Sequence, residues 1–285
     1  MLSIDVFTSD YKPIAAPGPG WDPARQATWP ATTATLISGK TDAVLVDALI
    51  TAAEADRLTS WIRASGKRLT TVYVTHGHGD HFLGLSVVLA AFPQATAVAR
   101  PEVVPYAREQ LSPAYLAFWE SQFPGQLPTG APVAPAAMTG EVLELDGEEI
   151  RPVPVGQSDT HPSTVVYVPS ARAVVGGDVA YNGIHMWLTG TDHEARLAWL
   201  AALDTVAALD PRTLVAGHKD PGRGDTDVAG ILSFSRQYIT DFDALVSASG
   251  SPGPVIAEMT RRYPGLGNPY TLAAAATAQF KEAQP

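Results

Sequence analysis

The sequence predicts the α/β class, as one four-layer domain in which strand runs alternate with helical runs. Three observations point there. Short β-branched runs recur between stretches of helical period along most of the chain. Two broadly similar strand-and-helix halves each deliver metal-capable residues at strand C-terminal ends, the usual site position in layered α/β proteins. No linker of flexible composition, low-complexity tract or short repeat divides the 285 residues.

The elements follow in order. An extended segment at Thr33–Ser38 leads to Ala43-Val44-Leu45-Val46-Asp47, a buried-strand run ending in an acid. A helix follows, with Ala55, Leu58, Trp61 and Ile62 at core-facing spacing. Leu69–Val74 is rich in Thr and Val and reads as a strand, and Leu83–Phe92 as the helix after it. Residues 101–140 carry seven prolines among Ala, Tyr, Phe and Trp. They read as a helical excursion, either a cover for the site on which Tyr115, Phe118 and Trp119 pack, or a satellite surface lobe with its own small core. Strands resume at Glu141–Leu145, Glu149–Val153, Ser163–Val168 and Ala171–Val175. Asp192–Leu209 is an amphipathic helix with Leu197, Leu200, Leu203 and Val206 as its expected core stripe. A short strand, Thr213–Ala216, ends at Gly217-His218. Helices around Val228–Ser247, Val255–Arg262 and Leu272–Lys281 form a C-terminal extension, about 228–285, of a single domain spanning 1–285.

Composition narrows the function classes. A net charge of −10 without basic clusters argues against nucleic acid as partner. No apolar run is long enough to span a bilayer, so no membrane partner is expected. The N-terminus lacks a basic region followed by an apolar stretch, which makes the cytoplasm the expected location. A small-molecule substrate is expected, and the oligomeric state stays open. With no cysteine, a metal must be held by His, Asp or Glu.

Those ligands are concentrated in Thr75-His76-Gly77-His78-Gly79-Asp80-His81, which holds three of the seven histidines. Imidazole and carboxylate donors suit one or two ions of Zn²⁺, with Mn²⁺ or Fe as alternatives. The intervening glycines suggest a backbone that reverses, so that alternate side chains converge. Asp47 is a candidate to accept a hydrogen bond from a ligand imidazole, or simply a strand-end turn residue.

His76-x-His78-x-Asp80-His81, then Gly177-Asp178 and Gly217-His218 after later strands, resemble the metallo-β-lactamase superfamily from about 33 to 218. The resemblance implies a four-layer αββα sandwich with a one- or two-metal site at the sheet edge. It implies that His76 and His78 bind a first metal, that Asp80, His81 and His218 bind a second, and that Asp178 bridges the two. It also implies hydrolysis by a metal-activated water, with Asp80 orienting the nucleophile and passing its proton to the leaving group. One departure stands out. The family supplies a further histidine after a glycine, and here Gln157 follows Gly156. Three readings are open: Gln157 binds through its amide oxygen, His161 swings in, or the first site is weakened.

Tyr181, three residues after Asp178, resembles a substrate-contacting tyrosine of the lactonase members, a catalytic phenol for the carbonyl or leaving oxygen. Asn182, His185 and Trp187 follow in the same segment as candidate pocket residues, while His193 reads as a helix-start residue. The resulting expectation is a metal-dependent hydrolase of an ester-like bond, a lactone foremost. Glyoxalase II-like thioesterase and β-lactamase-like activity are the alternatives within that class. A catalytically impaired binding protein of the same fold is the alternative outside it.

Overall fold

A computed structural model describes residues 1–18 and 20–280. The last residues of the expected C-terminal extension, 281–285, lie outside the described residues, and with them the expected end of the last helix at Lys281. Two sheets dominate. The first has six strands in the order Ser3–Thr8, Thr33–Ser38, Asp42–Val46, Arg68–Tyr73, Thr96–Ala99 and Ala136–Ala137, antiparallel over the first three and parallel beyond. The second has five, in the order Thr213–Val215, Ala173–Val175, Ser163–Val168, Glu148–Gly156 and Leu143–Leu145.

The layering follows from strands that are apolar on both faces. In Asp42–Val46, Ala43 and Leu45 join a core shared with the helices Ala52–Ala64 and Leu85–Ala91. Their neighbours Val44 and Val46 join a different core, built with Ile150, Val166, Val168, Val175 and Val215 of the second sheet. The outer side of the second sheet, through Val165, Val174 and Leu214, packs on the helices His193–Ala208, Val228–Ala248, Pro252–Arg262 and Pro269–Gln279. Successive side chains point to opposite faces, so each sheet gains a helix layer outside and a sheet layer inside. The sequence is therefore α, β, β, α.

Three expectations need correction. The helix expected at Leu83–Phe92 is shorter, Leu85–Ala91, and is separated from a preceding helical turn at Gly79–Phe82 where the Gly84 N–H turns to the Leu49 carbonyl (3.0 Å). The excursion at 101–140 is helical only at Val104–Glu109 and Pro113–Gln122. Four prolines beyond residue 123 stop further helix, and Ala136–Ala137 instead extends the first sheet. In the helix His193–Ala208, capped by Asp192, the buried stripe is Arg196, Trp199, Ala202, Leu203 and Val206, while Leu197 is 47% exposed. Leu197 and Leu203 are six residues apart, which places them about 120° apart around the helix.

The topology also brings two sets of strand ends together. Val46 is in register with Tyr73, so Asp47 and Thr75 emerge side by side. Val175 is in register with Val215, which does the same for Gly177-Asp178 and Gly217-His218. The Thr164 N–H donates to the Thr75 carbonyl (3.1 Å) and His76 pairs with Ser163, which ties the two sheets at this edge.

Candidate metal centre

Seven buried or half-buried side chains converge where the two sheets meet. His76, His78, Asp159 and Asp178 form one group, and Asp80, His81 and His218 another, each compact enough for its members to hold a single ion. Asp178 lies between them. Its Oδ1 is 3.1 Å from His81 Nε2, and its Oδ2 is 3.3 Å from His218 Nε2 and 3.9 Å from His76 Nε2. His78 Nδ1 lies 2.7 Å from Asp159 Oδ2, and His218 Nε2 lies 3.3 Å from Asp80 Oδ2.

Partners behind each residue fix its orientation. Asp47 accepts from the Thr75 N–H (2.9 Å) and Thr75 Oγ1 (2.9 Å), and its Oδ2 meets His81 Nδ1 at 2.9 Å. Thr75 Oγ1 also lies 3.0 Å from His76 Nδ1. His218 Nδ1 turns to the Ala31 carbonyl (3.2 Å). The Trp29 indole N–H donates to Asp80 Oδ2 (2.8 Å), and the Tyr181 hydroxyl donates to Asp178 Oδ2 (3.0 Å). The second nitrogen of His76, His81 and His218 is thereby held by oxygen, which is how proteins set the tautomer of a ligating histidine.

Charge at this edge is unbalanced in favour of cations. Burial alone would push Asp80 and Asp178 upward, but the His81 and His218 imidazoles hold both below the usual carboxylate range. Conversely, burial opposes charge on His218, yet Asp178 and Asp80 raise it to about 9, and Asp178 with Asp80 raises His81 well above its ordinary value. His76 moves the other way, to about 4, because burial and the neighbouring His81 disfavour its protonation. Four buried atoms of the cluster have no hydrogen-bond partner: His76 Nε2, His81 Nε2, Asp159 Oδ2 and Asp178 Oδ1. Buried polar atoms of folded proteins are nearly always paired, and unpaired imidazole and carboxylate atoms within two such compact groups fit places for ions. The donor set of imidazoles and carboxylates fits divalent transition metals.

The structure brings His76, His78, Asp80, His81, Asp178 and His218 together, as the family resemblance implies. The Gln157 Nε2 donates to the Ser158 carbonyl (2.9 Å), and Asp159, two residues on, lies beside His78. His161 is exposed and does not reach the cluster. Tyr181 is fully buried, behind Asp178, and is absent from the cavity wall, so its phenol does not meet the substrate space. Asn182 donates to the Gly224 carbonyl, and His185 pairs with the Tyr238 hydroxyl (2.9 Å), both away from the cavity. Trp187 does line it. The motif glycines serve close packing; neither Gly77 nor Gly79 has a positive φ. A Cβ on Gly77 would stand 2.6 Å from Tyr106 Cδ1, and one on Gly79 would collide with the Trp119 indole.

Reasoning from sequence missed Asp159 and Trp29. An acid in the Gly156–His161 run was a visible signal for the first. Trp29 precedes the strand Thr33–Ser38 and carries no local mark of its role. Above the cluster opens a cavity of about 220 Å³, walled by Trp29, Tyr106, Tyr115, Phe118, Trp119 and Trp187, with His78, Asp80, Asp159, Asp178 and His218 at its floor. Trp29 stacks edge-on with Trp119 at 5.1 Å and tilts against Trp187 at 5.0 Å. No Lys or Arg lines this cavity among the described residues.

A family model described as the metallo-beta-lactamase superfamily matches residues 27–218. Among solved structures, the chain is similar to a metallo-beta-lactamase family protein from Thermus thermophilus, at 16% identity and TM-score 0.62, covering 96% of this chain and 91% of that one. It is similar also to the DIM-1 metallo-beta-lactamase exposed to ceftazidime, at 18% identity and TM-score 0.59, covering 86% and 94%. The third is the FIM-1 metallo-beta-lactamase from Pseudomonas aeruginosa in its mono-zinc form, at 16% identity and TM-score 0.56, covering 84% and 92%. No curated protein matches in sequence.

Proposed function

The chain belongs to the metallo-β-lactamase superfamily and is a metallo-hydrolase, and from that premise we propose that it opens an uncharged ester-like bond, foremost a lactone. The carrying observation is the cavity: an aromatic wall without Lys or Arg above a floor of carboxylates and imidazoles. Such a wall favours an apolar ring or acyl group. A substrate carboxylate would meet no cationic side chain of Lys or Arg there and would face Asp80, Asp159 and Asp178. That disfavours β-lactams and acidic thioesters relative to lactones.

In this reading His76, His78 and Asp178 hold one ion, and Asp80, His81 and His218 hold the other with Asp178 shared. Bound divalent ions, zinc foremost, would activate water at neutral pH and polarise the scissile carbonyl. Asp80 faces the cavity with its Oδ2 fixed by the Trp29 N–H, a placement suited to orienting a nucleophile and carrying its proton to the leaving oxygen. Tyr181 and Asp47 hold Asp178 and His81 in place from behind. The aromatic wall excludes water from the scissile bond.

The test is metal analysis combined with turnover on a panel of lactones, thioesters and β-lactams under defined metals. Lactone opening that disappears with a chelator and returns with metal is the expected result. Faster turnover of a carboxylate-bearing β-lactam or thioester would overturn the substrate reading. Less than one ion per chain, with no substrate of the panel hydrolysed, would leave a binding protein of the same fold. For Asp178→Asn the expectation is joint loss of metal and activity.

A further inference from the structure

Resting on the metallo-hydrolase reading, we propose that Asp159 is a ligand of the ion held by His76 and His78. It makes that site a set of two imidazoles and two carboxylates, biased toward Mn²⁺ or Fe²⁺ compared with a site of three imidazoles. The geometry carries this. Asp159 is 4% exposed, and its Oδ2 has no hydrogen-bond partner although it lies 2.7 Å from His78 Nδ1. Its Oδ1 is 4.0 Å from His76 Nε2, whose own ring nitrogen is equally unpartnered.

The carboxylate is held in place by its own loop. Ser158 Oγ donates to Asp159 Oδ1 (2.9 Å) and lies 2.6 Å from Ser163 Oγ. Ser163 is the residue that pairs with His76 across the sheet junction, so one strand start orients both ligands. Gln157 is held otherwise: its amide nitrogen donates to the Ser158 carbonyl, and it lines a neighbouring opening together with His78, Asp159 and exposed His161.

The chemical consequence is one more negative charge than a third imidazole would give. Asp80, Asp159 and Asp178 together would face the bound divalent ions, and hard oxygen donors move relative preference toward Mn²⁺ while imidazole suits Zn²⁺. The competing account leaves Asp159 outside the coordination sphere, merely orienting His78.

The experiment compares wild type, Asp159→Asn and Asp159→His, by ions per chain after dialysis against Mn²⁺ or Zn²⁺ and by Mn²⁺/Zn²⁺ competition followed by electron paramagnetic resonance. Wild type is expected to hold two ions. Asp159→Asn is expected to retain one, at the Asp80, His81 and His218 site, which doubles as proof of an intact fold, and to bind the other at least about tenfold more weakly, the scale of loss when even an outer partner of a ligand is removed. Asp159→His is expected to regain two Zn²⁺ while its Mn²⁺-to-Zn²⁺ affinity ratio falls. Two ions at unchanged affinity in Asp159→Asn, or an unchanged ratio in Asp159→His, would overturn the assignment of Asp159 and leave the hydrolase reading intact. A wild type that takes up no ion would overturn both.

Discussion

Tyr181 presses its phenol against the back of Asp178, with its ring 5.5 Å from that of His218. Burial, the Asp178 charge and this hydrogen bond raise its pKa well above the ordinary value, so it remains a donor throughout the working pH range. A donor to a ligand carboxylate fixes which oxygen faces the ion. Tyr181→Phe is therefore expected to weaken metal binding by roughly tenfold, with KM at saturating metal unchanged. Metal titration alongside kinetics separates the two effects, and a raised KM with unaltered metal affinity would return Tyr181 to the substrate. The sequence places Tyr181 three residues past Asp178, and both roles are compatible with that spacing. Which one applies depends on the direction of the side chain, set here by packing on Trp199 and His218. Gln157 and Asp159 give the same lesson: counting from Gly156 points to the first, and the fold of a loop around Ser158 selects the second.

Among the elements, the helices Val104–Glu109 and Pro113–Gln122 roof the centre through Tyr106, Tyr115, Phe118 and Trp119. Their approach is close enough that the motif requires glycine at 77 and 79 beneath them. Phe118 is 42% exposed and still lines the cavity, which marks it as a contact with little structural duty. Phe118→Ala is expected to change stability by less than about 0.5 kcal/mol. It should raise KM for a ring-bearing lactone by roughly tenfold, the equivalent of about one aromatic contact. A small acyclic ester should be nearly unaffected. Equal losses for both substrates, or a marked fall in Tm, would argue that the residue supports the fold instead. Helix limits were legible where a cap marks them, as at Asp192, whereas the helix expected from Val255 begins earlier, at Pro252. The buried face of the helix His193–Ala208 was less so, because an alanine- and leucine-rich sequence offers more than one apolar stripe.

Across the whole molecule, His185 joins the segment after Asp178 to the C-terminal helices. Its Nδ1 meets the Tyr238 hydroxyl, and burial depresses its pKa to about 4. The unfolded chain therefore binds more protons at this residue between about pH 4 and the ordinary histidine value of roughly 6.5. The neutral, paired imidazole contributes fully above that window, and stability falls as pH drops through it, by at most about 3 kcal/mol. His185→Gln is expected to flatten this part of the stability profile, measured by urea unfolding at matched metal content. An unchanged slope would assign the acid sensitivity to other groups. No helix among the described residues is long and apolar enough to cross a membrane.

Consecutive residues were enough to establish the layered α/β class and to single out His76, His78, Asp80 and His81, while Asp178 and His218 joined them through the family resemblance. Hydrophobic period and motif spacing are local properties, so they can be read without knowing how the chain folds back on itself. It took the packed molecule to bring Asp159 beside that set, to keep His161 away from it, and to seat Tyr181 behind the centre instead of in its mouth. Those outcomes depend on two sheets packed face to face and on where their loops turn at the common edge. Long-range packing fixes such directions, and no stretch of neighbouring residues encodes them alone.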